Sequence, residues 1–357
     1  MQPRVRHRFV AEIRLDDGER IVTPVLDVDW QPAIECAHFQ RVRRGLAGIG
    51  SVPSAMRIQP RWQSPPGRPL VAALEVSASD LTQPERIALQ YLAEPVRRAV
   101  GDLVDAGRID EGAKYTWCVS AYDTDMGDVE RPAQDAFAVE EDCSVQDQSA
   151  TRRLDDLLSR ATHHGPDCAD DVSGGDGAEV SADIPVFFDQ SVFAEAQTAA
   201  AAAGELEAGG VLLGRLSRDC DDGDLILEVT AQVPAREAVA EADSLRFTPA
   251  TWQAVQAAIR LRRASEGIVG WWHSHPLKVW RCHACPKARR VDCPSNVAFF
   301  SSMDVQVHRT AFQGPINVAL LLSFQADPQP RVDLFGWRHG LVSQRGYHVL
   351  DPVVETT

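Results

Sequence analysis

Apolar and polar residues alternate with a period of two over residues 7–15 (HRFVAEIRL) and 20–28 (RIVTPVLDV), which predicts two strands. Asp17 and Gly18 between them signal a hairpin turn. Residues 59–69, rich in Pro, Gln and Arg, read as loop. Over 82–106 the period changes. Ala88, Leu92, Val96 and Val100 recur every four residues, with Leu89 on the same face, and predict a helix. Thr82 is placed to cap it, with Glu85 three residues later, and Pro95 inside it predicts a kink or a break. A further strand is expected at 115–122 (YTWCVSAY) and a short helix within 151–164. Beyond residue 184 the apolar runs are denser. Helices are expected at 191–204, 248–264 (Thr248 capping, Pro249 at the first helical position) and from Ser301 onward. Strands are expected at 210–216, 225–233, 267–273, 316–324 and 332–337. This alternation of helices and strands around an apolar sheet predicts an α/β, or α+β layered, class.

Composition divides the chain. Between residues 121 and 147 nine acidic residues face one basic one, and 165–183 is acidic and glycine-rich with no basic residue. Such a segment reads as a solvated linker. The expected organisation is therefore an N-terminal α+β domain over 1–122, an acidic linker over 123–183 and a C-terminal domain over 184–350. A net charge of -15 repels phosphate backbones, so nucleic acid is not expected as a partner. The longest apolar runs are strand-length, so no membrane association is expected. The basic start, MQPRVRHRF, lacks the apolar stretch of a secretory signal, and a cytoplasmic location is the expectation. In that reducing setting, clustered cysteines suggest metal before disulfide.

The candidate chemistry sits in the C-terminal domain. His273-Ser274-His275-Pro276 closes an apolar strand, and residues two apart on a strand share a face, so both imidazoles can meet one metal ion. Ser301-Ser302-Met303-Asp304 opens a helix. Asp304 can add an oxygen ligand, and two nitrogens and one carboxylate leave a tetrahedral position open, as in catalytic zinc sites. Glu207, just before the run Gly209-Gly210-Val211-Leu212-Leu213-Gly214, can serve as the general base. The Ser301 hydroxyl can stabilise an oxyanion. Taken singly, Ser-x-x-Asp is also a plain capping pattern, and Trp271 and Trp272 read as packing residues.

In combination, the order Glu207, the Gly-Gly-Val-Leu-Leu-Gly strand, His-Ser-His-Pro and Ser-x-x-Asp resembles the JAB/MPN (JAMM) zinc metalloproteases over residues 184–337. The segment 298–304 (AFFSSMD) is especially similar to the deubiquitinating branch. The resemblance implies a mixed, cytidine-deaminase-like sheet flanked by helices. It implies His273, His275 and Asp304 as ligands of a catalytic zinc, Glu207 as the acid/base and Ser301 as the transition-state donor. Glu205 is the nearby competitor, but only Glu207 has the family spacing to Gly210 and Gly214. The chain departs from the family in having 25 residues between His275 and Ser301, where about seven are usual. This insertion, 277–297, carries Cys282, Cys285 and Cys293, a spacing that suggests a second, structural zinc. His308, one turn after Asp304, is the candidate fourth ligand, with His283 the alternative; free thiols in a basic loop are the other reading.

What the resemblance implies for function is a zinc isopeptidase or peptidase. It would cut after the C-terminal tail of a ubiquitin-like protein, in deconjugation or precursor processing. The setting would be a bacterial conjugation system, such as an antiphage one, with E1- or E2-like enzymes as further partners. The alternatives are a hydrolase of sulfur-carrier conjugates in cysteine or cofactor biosynthesis, or a non-catalytic scaffold holding a ubiquitin-like partner.

Overall fold

The computed structural model describes residues 4–5, 7–49, 51, 56–63, 70–78, 84–123, 151–166, 183–204, 206–235, 239–240, 245–262, 266–275, 300–324, 330–338 and 340–351. Six α-helices lie among them: α1 (Gln31–Arg43), α2 (Ala93–Asp105), α3 (Leu154–Leu158), α4 (Gln190–Ala203), α5 (Pro249–Arg262) and α6 (Ser302–Ala311). With the sheets described below they make a mixed α/β molecule, the class expected. None of these helices is long and apolar enough to cross a membrane.

In the N-terminal half the alternating segment His7–Leu15 is central to a three-stranded sheet, between Arg20–Val25 and Tyr115–Asp123. Four further strands (Arg4–Val5, Met56–Trp62, Val71–Ala78 and Glu85–Ile87) make a second sheet, and a bridge between Leu70 and Ser120 joins the two. Residues of α1 and α2 close a shared core with Phe9, Ile13, Ile58, Leu74 and Val119. The helix expected over 82–106 is shorter than its periodicity suggested. Glu85–Ile87 is a strand, Leu89–Leu92 a 3-10 turn, and α2 begins only at Ala93. Pro95 therefore falls in the first turn, where a backbone N–H has no partner to lose, and it neither kinks nor breaks the helix. Thr82 lies outside the described residues.

The C-terminal half is built on a mixed sheet of ten strands among the described residues, beside a separate two-stranded pairing of Val239–Ala240 with Leu245–Arg246. The order of the larger sheet is Leu341–Arg345, Arg331–Arg338, Val318–Ser323, Gly267–His275, Gly209–Asp219, Leu225–Pro234, Val186–Asp189, Tyr347–Leu350 and Ala161–His164, with Thr151–Arg152 added beside the end of Gly209–Asp219. The central strands are nearly all apolar because both faces are covered. Alternation sorts their side chains. Leu212, Trp272 and Leu320 pack with Val192, Phe193 and Ala196 of α4. Val211, Trp271 and Ala319 pack with Val255 of α5 and with Val307 of α6. Two glycines permit the close strand approach. A Cβ on Gly270 would lie 1.9 Å from the Val318 carbonyl oxygen, and one on Gly214 would lie 2.1 Å from that of Glu228.

The segment expected as linker is partly built into this sheet. Thr151–Arg152 pairs with Arg218 and Asp219, and Ala161–His164 pairs with Tyr347–Leu350 to form its edge. The helix expected over 151–164 shrinks to the five residues of α3 between those strands. The two halves also share a core. Val42 and Ile49, near the end of α1, are buried among C-terminal residues such as Leu225 and Leu227. Arg43 grips both oxygens of Asp224, and the Arg218 guanidinium donates to the carbonyls of Val42 and Arg43 at 2.6 and 3.2 Å.

Candidate metal centre

The strand Gly267–His275 runs between Gly209–Asp219 and Val318–Ser323 and ends in the histidine pair. Because Trp271 faces the α5/α6 side, the alternation carries His273 and His275 to the same side. There α6 begins. Its first turn is a reciprocal capping box: the Ser301 Oγ accepts from the Asp304 N–H at 3.2 Å, and the Asp304 Oδ2 accepts from the Ser301 N–H at 2.7 Å. The cap aims the remaining carboxylate surface at the histidines.

His273, His275 and Asp304 each offer one ligand atom, and these atoms lie within 4.8 Å of one another. The His273 Nε2 lies 3.2 Å from Asp304 Oδ1, and the His275 Nε2 lies 3.6 Å from Asp304 Oδ2. The two Nε2 atoms are 3.2 Å apart. Glu207 follows from the turn after α4. Its Oε1 is 3.9 Å from the His275 Nε2, and the Glu207 side chain is buried. Paired backbone and side-chain bonds hold that turn to the histidine strand: the Ser274 N–H donates to the Ala208 carbonyl at 2.8 Å, and the Ala208 N–H donates to the Ser274 hydroxyl at 3.0 Å.

The electrostatics are those of a cation site. Burial works against an imidazolium at His273, but the adjacent Asp304 outweighs it and raises that pKa. At His275 burial dominates and lowers it. Burial alone would raise Asp304, yet His273, His275 and Ser301 together hold its carboxyl far below the usual carboxylate range. Two ring nitrogens converging on one buried carboxylate form a nitrogen–nitrogen–oxygen donor set suited to zinc. The side chains present fit such an ion.

The sequence-expected residues are therefore divided. His273, His275, Asp304, Ser301 and Glu207 come together. Glu205, Cys282, His283, Cys285 and Cys293 lie outside the described residues. His308 is fully buried, and its Nδ1 accepts the Trp271 indole N–H at 3.1 Å. Trp271 is more than packing. Its ring stacks on the His273 imidazole, with centroids 4.6 Å apart and planes 13° apart. The signal was present in the sequence, since Trp271 precedes His273 by two and so shares its face of the strand.

Residues 189–279 match the family model described as prokaryotic homologs of the JAB domain. The match spans Glu207, His273 and His275 and stops before Ser301 and Asp304. No curated protein matches the sequence. Among solved structures, the solution structure of a protein from Desulfitobacterium hafniense is similar at 20% identity and a TM-score of 0.32, over 48% of this chain and 97% of that one. With the matched segment forming the Glu207 turn and the histidine strand of the sheet, the chain carries a domain of the JAB/MPN family.

Proposed function

We propose that this protein is a zinc-dependent peptidase or isopeptidase that cuts the amide after the C-terminal tail of a ubiquitin-like protein. The observation that carries the reading is the convergence of His273, His275 and Asp304 within 4.8 Å, with Glu207 beside them. A scaffold has no need to gather these four side chains in a buried pocket. The substrate half of the proposal rests on the resemblance of residues 298–304 to the deubiquitinating branch, and an origin in a bacterial conjugation system with E1- or E2-like partners rests on the family resemblance and the composition of the chain.

His273, His275 and Asp304 would hold the zinc. When bound, the ion supplies a Lewis acid for the scissile carbonyl and a source of nucleophilic water at neutral pH. Glu207 takes the proton of the attacking water and returns it to the departing amine. Its burial keeps bulk water from competing for that proton. The Ser301 hydroxyl donates to the oxygen on which charge develops. A departing lysine amine gives deconjugation, and a departing peptide amine gives precursor maturation.

The test is intact-mass analysis of a ubiquitin-like precursor or conjugate incubated with zinc-loaded wild type and with Glu207→Ala. Wild type should cleave after the tail glycine. Glu207→Ala should keep its zinc and be slower by about 10²- to 10⁴-fold, the usual contribution of a positioned acid/base. A wild-type protein that binds zinc but leaves every such substrate intact overturns the substrate assignment. One that binds no zinc overturns the metal centre itself.

A further inference from the structure

Metal-ligating histidines ordinarily have their second ring nitrogen hydrogen-bonded to a carboxylate or carbonyl, which sets the ring plane. His273 departs from this. Its Nδ1 is buried and has no hydrogen-bond partner among the described residues. What lies against the ring instead is the face of Trp271, nearly parallel at 4.6 Å. An indole can fix a neighbouring plane only if its own is fixed. The Trp271 Nε1–H is the one polar handle on that buried ring, and it is spent on the His308 Nδ1 at 3.1 Å. His308 in turn is wedged between Phe312, at 6.4 Å and 24°, and Trp337, at 5.2 Å and 40°.

From this stack we infer that His308 is a positioning residue for the metal centre, acting through Trp271 to hold the His273 ring in its ligating plane. The inference rests on the metal-centre reading above. It gives α6 two functions one turn apart: Asp304 is offered as a ligand directly, and His308 orients a second ligand at one remove. The role requires a lone pair on Nδ1, hence a neutral ring protonated on Nε2. Burial ensures neutrality by pushing the His308 pKa down to about 3. The Nδ1 side is engaged by the indole, and a hydrogen bond with the Asn317 backbone gives the ring a second polar contact that only partly offsets the burial.

Replacing His308 separates the parts of this role. An Asn side chain places its Oδ1 where the histidine has Nδ1, so His308→Asn keeps an acceptor for the indole while removing Nε2. His308→Phe keeps the ring and removes the acceptor. Trp271→Phe keeps a stacking face and removes the donor. Metal-free full-length proteins would be titrated with Co²⁺, reading the ligand-field absorption, and then with Zn²⁺ in competition. His308→Phe and Trp271→Phe should each weaken binding by about 10- to 100-fold, the usual cost of losing an outer-shell partner. The double variant should be no worse than either, and His308→Asn should stay close to wild type with an unaltered Co²⁺ spectrum. Wild-type affinity in His308→Phe overturns the inference. So does an Asn variant as weak as the Phe variant, which would assign the effect to Nε2 or to the ring. Should His308→Phe not fold, Trp271→Phe alone decides: wild-type affinity there overturns the role. Absence of saturable Co²⁺ binding in wild type removes the metal centre and the positioning role together, and is distinguishable from both.

Discussion

At His308 burial strips away the water that would stabilise an imidazolium, and the pKa falls to about 3. The unfolded chain has no such penalty and takes up a proton near pH 6.5. A histidine whose folded pKa is depressed contributes stability that is present above the unfolded pKa and is lost as pH falls toward the folded one. Between pH 7 and pH 5 the metal-free protein should thus lose about 2 kcal/mol through this single group, at roughly 1.4 kcal/mol per pH unit below 6.5. Denaturant unfolding at the two pH values should show a correspondingly smaller loss in His308→Asn, which cannot titrate. Equal pH dependence in the two proteins would place the sensitivity elsewhere. At this scale the convergence of the histidine pair was legible from spacing alone, because a strand's period of two forces His273 and His275 onto one face. The engagement of His308 with Trp271 was not. Sequence spacing put His308 one turn from Asp304 and suggested a ligand, whereas the approach of α6 to the strand gives its Nδ1 to an indole.

The helix α6 shows how one element serves stability and chemistry with the same atoms. Ser301 caps it, and the reciprocal bond from its N–H restrains Asp304. Ser301→Ala should cost about 1 kcal/mol of stability in the metal-free protein, and Ser301→Thr, which retains a capping hydroxyl, much less. Chemical denaturation checks this. Because the Ser301 hydroxyl accepts from the Asp304 N–H and so orders the turn that carries that carboxylate, Ser301→Ala should also weaken Zn²⁺ binding, whereas a serine acting only on the oxyanion would leave affinity untouched. The capping reading and the proposed ligand reading of Ser-x-x-Asp, which the sequence left as alternatives, are compatible because Asp304 Oδ2 accepts the capping bond while Oδ1 faces His273. Elements were least legible where backbone pairing rather than burial defines them. Ala161–His164 is exposed over most of its length, so nothing in its side chains marks it as the sheet's edge strand. Glu85–Ile87 was missed for a different reason: its two buried residues fit the helical spacing that continues into α2, and only pairing with Val71–Ala78 makes it a strand.

Across the whole molecule, the N-terminal half is not simply tethered. Val42 sits in the C-terminal core, and the Arg43–Asp224 and Arg218 contacts clamp the end of α1 to the hairpin between Gly209–Asp219 and Leu225–Pro234. A second contact joins α2 to the metal-site helix, Glu94 to Arg309 at 3.6 Å. Calorimetry of the full chain should therefore show one cooperative transition. Val42→Ala should lower its stability by about 2 kcal/mol, for two methyl groups at roughly 0.8 kcal/mol each plus the cavity left behind. Two transitions, with only the N-terminal one moved by Val42→Ala, would overturn the coupling. The C-terminal strands, the histidine pair and the Ser-x-x-Asp helix start were determined by sequence, because each follows from a local period or a local cap, whereas Glu207 was picked out over Glu205 only by the family resemblance. Tertiary structure alone decided that residues 151–152 and 161–164 join the sheet, that the end of α1 enters the second core, and that His308 accepts from the indole stacked on His273. Those outcomes depend on surfaces that meet from distant parts of the chain, and no local pattern encodes which surface a buried residue will meet.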